Sequence, residues 1–113
     1  MKEVDVGTVE GTGAAINIEL GFTPRYFKCF NLDDVGGLAP TLEWFEGMPA
    51  ASAIKTLKVV DNATTGNASS AKITSNGISE YAGSDASAAV GITIGADTDV
   101  NVSGETIHFI AFR

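Results

Sequence analysis

The chain's clearest run of ligand-type side chains is Asp97-x-Asp99-x-Asn101-x-Ser103, with an oxygen at every second residue. Calcium takes several oxygens at close range, and the EF-hand loop draws them from alternate positions. That loop also requires glycine at its sixth position and glutamate at its twelfth, where this chain carries Val102 and His108. On an extended strand the same spacing simply turns polar groups toward water, and this is the stronger reading. His108 is the sole histidine and stands in an apolar strand, with no partners converging on it in sequence for zinc or for acid–base catalysis. Glu43 and Glu46 flank Trp44 as an isolated Glu-x-x-Glu at a strand end, a solvated pattern. Gly11-Thr12-Gly13-Ala14 opens like a dinucleotide-binding run, but it lacks the third glycine and lies between two strands. Cys29, the only cysteine, excludes an internal disulfide and reads as a small core residue between Lys28 and Phe30. No catalytic, cofactor or metal residue is therefore assigned, and the chain is not read as an enzyme. The candidate functional residues are instead aromatic. Trp and Tyr dominate protein contacts, and Tyr26, Trp44, Phe45, Phe109 and Phe112 form the candidate interface set.

These residues need a scaffold, and the composition narrows it. A chain of 113 residues suits one domain, taken as 1–113. Its 44% hydrophobic and 19% charged residues, with 13 glycines, suit short strands and tight turns better than helices. The formal charge of −7 disfavours nucleic-acid phosphates and anionic lipid, so neither is an expected partner. No stretch approaches the ~20 apolar residues of a spanning helix. The N-terminus, Met1-Lys2-Glu3-Val4-Asp5, carries no signal-peptide pattern, which predicts synthesis in a cytosol-like compartment.

Alternation of apolar and polar residues marks most of the strands. Val4 to Glu10 places Val4, Val6 and Thr8 on one face of a half-buried strand. Ala14 to Leu20 turns Ile16, Ile18 and Leu20 inward and Asn17 and Glu19 outward. Arg25 to Leu32 sets Tyr26, Lys28 and Phe30 against Phe27, Cys29 and Asn31. Thr41 to Glu46 forms a fourth strand. Ala50 to Val60 fits a helical turn or a strand, and the strand is preferred. Ala71 to Ile78 reads as a short strand ending in an Asn76-Gly77 hairpin turn. Val90 to Gly95 and Glu105 to Arg113 complete the set. The last strand is apolar on both faces, which predicts a central position or a covered second face. Loops are expected at Asp33 to Gly37, Asp61 to Ser70 and Ser79 to Ala89. The expectation is an all-β domain of about eight short strands: an antiparallel sandwich or small barrel, jelly-roll-like.

One resemblance runs along most of the chain. Val6-Gly7-Thr8-Val9, Gly11-Thr12-Gly13-Ala14-Ala15-Ile16-Asn17-Ile18, Leu20-Gly21-Phe22-Thr23-Pro24-Arg25-Tyr26 and Leu42-Glu43-Trp44-Phe45-Glu46-Gly47-Met48 resemble small virion proteins of tailed bacteriophages. Ile73-Thr74-Ser75-Asn76-Gly77-Ile78, Gly91-Ile92-Thr93-Ile94-Gly95 and the terminal Ile107 to Arg113 continue the likeness. The shared features are glycines and apolar pairs rather than a catalytic signature. The resemblance implies a cement or decoration protein on the outside of a capsid, often a trimer. The major capsid protein would be its partner, with synthesis in the host bacterial cytoplasm. The same module also resembles tail-fibre domains, which implies a receptor- or glycan-binding alternative. An exposed Trp44 or Tyr81 beside Asp97 and Asp99 would favour that alternative.

Overall fold

A computed structural model describes residues 3–33, 39–59, 67–85 and 88–113. Its elements are eight strands: β1 (Val4–Glu10), β2 (Ile16–Glu19), β3 (Tyr26–Asn31), β4 (Thr41–Phe45), β5 (Ser52–Val59), β6 (Asn67–Tyr81), β7 (Gly91–Ile94) and β8 (Thr106–Phe112). Each matches a strand expected from the sequence, and the ambiguous segment after Ala50 is strand β5. Of the expected loops, 34–37, 61–66 and 86–87 lie outside the described residues. Asn67–Ser70 and Ser79–Tyr81, read as loop from their small polar residues, belong to β6. Pairing with β5 and β7 supplies what their own composition lacks.

All neighbours pair antiparallel in one sheet, in the order β1-β8-β3-β4-β5-β6-β7-β2, and the sheet curls into a half-barrel. β8 lies between β1 and β3, the central position its sequence predicts; Ile107, Phe109 and Ala111 are buried, while Ile110 and Phe112 stand on the convex face. β1 and β2 are the two edges, although they are consecutive in the chain.

The core fills the concave side. Phe27, Leu42, Trp44, Ile78, Ile92, Ile94 and Ile107 are fully buried there, each contributing about 1.5–3 kcal/mol of burial free energy. Phe109 stacks on Phe27 at 5.8 Å between ring centroids. Ile16, Ile18 and Leu20 pack against this core from β2, as their alternation predicts. In β1, Val4, Val6 and Thr8 share a face as the alternation predicts, and it is the outer one, with Val6 70% exposed. The inward residues include Gly7 and Val9, and the Phe109 ring lies directly over Gly7. Alternation groups residues by face, and here the room needed by Phe109 sets which face turns in.

The Asn76-Gly77 pair does not make a hairpin turn. β6 runs straight through it, with Asn76 in the left-handed region at φ 60°. Ser52 pairs with Ile78 whereas Ala53 pairs with Ile73, so the extra β6 residues form a large bulge. Gly77 N–H donates to Ala51 O at 2.9 Å, and Gly95 N–H donates to Gly77 O at 2.8 Å. A Cβ on Gly77 would stand 2.6 Å from the Ser52 carbonyl, so the backbone approach excludes any side chain. Gly77→Ala is expected to destabilise the fold by about 1–3 kcal/mol, through overpacking against a rigid backbone. Gly13→Ala, in open space, should cost only the ~1 kcal/mol of a left-handed alanine. Urea unfolding of the two variants measures the difference.

Candidate functional site

The Asp97–Asn101 segment is a turn rather than a strand, with Asp97, Val100 and Asn101 buried and Thr98 exposed. Asp97 begins it as an Asx turn: its Oδ1 accepts N–H bonds from Asp99 and Val100, both at 2.9 Å. Asn101 N–H closes the turn onto Asp97 O at 3.0 Å. This geometry drops Val100 into the core, where it is fully buried. The side chain of Asn101 is buried as well, and both ends are used. Its Oδ1 accepts from Thr12 N–H and Gly13 N–H, and its Nδ2 donates to Ala14 O and Gly95 O. Asn101 thereby fastens the β1–β2 connection to the end of β7.

Two polar residues on inner strand faces complete the cluster. Lys55 on β5 sends its ammonium to Asp97 Oδ2 at 2.9 Å and Asp99 Oδ2 at 2.5 Å. Asn31 on β3 donates through Nδ2 to Glu105 Oε1 at 2.6 Å and to the carbonyls of Asp99 and Val100. Its Oδ1 accepts from Asp33 N–H at 2.8 Å.

The expectation that the Asp97-x-Asp99-x-Asn101 spacing faces water is therefore overturned for two of its members. Asp97 is 5% exposed and Asn101 2%. A turn with Val100 as its apolar anchor replaces the strand that the alternation suggested. The carboxylates face an ammonium, the arrangement of a structural ion pair. Among the described residues, no three of His, Cys, Asp and Glu gather in a metal-holding geometry.

Burial disfavours the charge on Lys55, but hydrogen bonds and attraction from Asp99 and Asp97 outweigh it and raise its pKa above the ordinary lysine value. Cys29 is pushed far up by burial, with the charge of Asp97 adding to the effect. Its thiol is inert, in keeping with a core role.

The opposite, convex face holds the other candidate residues. The strand registers align Val4, Phe112, Tyr26 and Phe45 as one row across β1, β8, β3 and β4. The Tyr26 ring lies 5.1 Å from Phe45 and 5.6 Å from Phe112. Such pairs contribute about 0.5–1.5 kcal/mol beyond their buried area. Behind this row stand Val6, Ile110, Lys28 and Glu43, and then Thr8, His108, Phe30 and Thr41. His108 stacks on Phe30 at 6.0 Å. Val4, Phe45 and Phe112 are each about two-fifths exposed. Of the five residues in the candidate interface set, Tyr26, Phe45 and Phe112 thus lie together on the outer face. Trp44 and Phe109 point the other way, into the core, and form no part of that surface. Odd and even positions of one strand face opposite ways, and the aromatic grouping spanned both.

The alternation grouped Val4 and Val6 on one face without choosing its side, and no sequence pattern paired Lys55 with the aspartates. Asn31 and Lys55 did carry a signal: each is polar among residues that face the core. Tyr26 O–H donates to Glu43 Oε2 at 2.6 Å. Partial burial, the bond to Glu43 and the nearby carboxylate charge together push its pKa up to about 12.

No family model, curated protein or solved structure matches the chain. Its functional reading rests on the sequence and on this geometry.

Lys55→Met leaves Asp97 buried without its counter-charge and is expected to cost about 3–5 kcal/mol in chemical denaturation. Asp99→Asn, at a side chain 36% exposed, should cost about 1 kcal/mol or less. Tyr26 and Lys55 both have raised folded-state pKa values. Their contribution to stability is therefore complete below about pH 10, and it falls as pH rises through the folded values. Spectrophotometric titration of the phenol should place Tyr26 near 12, and Glu43→Gln should lower that midpoint. An unchanged midpoint would remove Glu43 as a cause.

Proposed function

We propose that the chain is a structural protein of a tailed-bacteriophage virion. In this reading it binds the outside of the capsid as a cement or decoration protein and stabilises the shell. The major capsid protein is its partner, the protein is made in the host cytoplasm, and it acts as an oligomer rather than as an enzyme. The resemblance of its glycine and apolar-pair pattern to such proteins supplies the identity. The geometric observation that supports the mode of action is the outer row Val4, Phe112, Tyr26 and Phe45 on a continuous sheet, with Val4, Phe112 and Phe45 exposed around a half-buried Tyr26.

A decoration protein needs a rigid scaffold and a surface matched to a repeating site. Each of these aromatic side chains has its ring held by a neighbour, so little rotamer entropy remains to be lost on docking. Weak contacts of this kind become effective when several copies engage a lattice together. Binding only the mature shell stabilises that state by mass action. The alternative, a receptor- or glycan-binding module of a tail fibre or baseplate, looks to an exposed Trp44 or Tyr81 beside Asp97 and Asp99; Trp44 and Asp97 are buried, whereas Tyr81 and Asp99 are partly exposed.

Quantitative mass spectrometry of particles from the phage that encodes the chain tests the proposal. A copy number in simple ratio to the major capsid protein is the expected result. A few copies per particle would move the chain to the tail and favour the alternative, and none would end the virion reading.

A further inference from the structure

We propose that two copies of this chain associate through β1, pairing antiparallel about a two-fold axis at Val6 to join their sheets into one. The inference concerns the chain alone and is an alternative to the trimer that the resemblance implies, so the size of the oligomer decides between them.

β1 is an edge, and its backbone polarity can be read from its ends. Arg113 N–H donates to Glu3 O, and Gly11 N–H donates to Glu105 O, so the odd-numbered residues of β1 face β8. The N–H and C=O groups of Val4, Val6 and Thr8 therefore point away from the sheet. Among the described residues no strand pairs with that side. A seven-residue edge carrying Val4 and Val6 outward, 43% and 70% exposed, is neither short nor interrupted by proline, and its charged guards are limited to Asp5 on the inner face and Glu10 at its end. The other edge, β2, is four residues long with Asn17 and Glu19 outward, and it is protected by comparison.

The sequence of β1 suits a second copy as the occupant, because about Val6 it complements itself with an apolar pair at the centre and no like-charge pair. Only residues whose backbone points outward can form the hydrogen-bonded pairs, so the register moves in steps of two. With Val6 opposite the partner's Val6, Val4 meets the partner's Thr8 and Asp5 meets the partner's Gly7. Glu3 meets the partner's Val9, and no carboxylate faces a carboxylate. One step in one direction sets Asp5 against the partner's Asp5, a like-charge pair. One step in the other sets Gly7 against the partner's Gly7 and Val4 against the partner's Glu10. The favoured register also joins the two outer faces, with Val6 beside the partner's Val6 and each Val4 row continued by the partner's Thr8 row.

Sedimentation equilibrium of the full chain, mass 11.6 kDa, should give a concentration-dependent dimer. Val6→Pro removes an N–H that β8 does not use, so the fold should persist while dimerisation weakens at least tenfold. Val6→Lys serves the same purpose should the proline variant fail to fold. Val6→Cys should crosslink two chains on mild oxidation, because the axis places this residue opposite itself. Thr8→Cys should not, and native Cys29 is buried. A monomer throughout the micromolar range, a trimer, or a dimer indifferent to both Val6→Pro and Val6→Lys would overturn the proposal. So would a dimer that Thr8→Cys crosslinks and Val6→Cys does not.

Discussion

The structure depends most on closing one end of a curled sheet with a turn whose buried side chains, Asp97 and Asn101, are both partnered. Asp97 shapes that turn through two backbone amides and is met by the Lys55 ammonium. Asn101 binds the β1–β2 connection and the end of β7 with four hydrogen bonds, while Asn31 holds the turn and Glu105 to β3. Strands distant in sequence are thus tied to one segment, and Val100 enters the core only because that segment is fixed. Each of these groups is costly if left unpaired in the interior. An alternative register of β3, β5 or β7 would strand several of them at once, so the cluster selects one arrangement of the sheet.

The two faces of the sheet divide the work. The concave side carries the apolar packing, with Phe27, Leu42, Trp44 and Ile107 inaccessible to solvent. The convex side sets aromatic and aliphatic groups beside Lys28 and Glu43, in rows fixed by strand register. This surface is held rigid by the same backbone ladder that builds the core. Such a surface suits association, since little order must be gained when a partner arrives. The polar cluster, by contrast, has its groups engaged with one another and is a structural device.

Local pattern made much of the architecture legible. β2 and β3 alternate with period two, and both faces of each fall where the alternation puts them. β8 is apolar on both sides and lies between two strands. Other features depended on partners that no local window contains. Asn76-Gly77 has the chemistry of a hairpin turn, yet the approach of Ala51 and Ser52 makes it a bulge within β6. The alternate oxygens after Asp97 suit a wet strand or a cation, yet Lys55, far away in sequence, claims both carboxylates.

The sequence by itself determined that this chain is all-β, roughly where its strands lie and which side chains share a face, because strand alternation is a property of the local backbone. The tertiary structure alone decided which faces turn inward, as with Val4 and Val6 outside and Trp44 and Phe109 inside. It also brought Lys55, Asp97 and Asn31 together. Both outcomes are set by contacts between residues remote in the chain, where the space left by one ring or the charge of one side chain fixes the place of another.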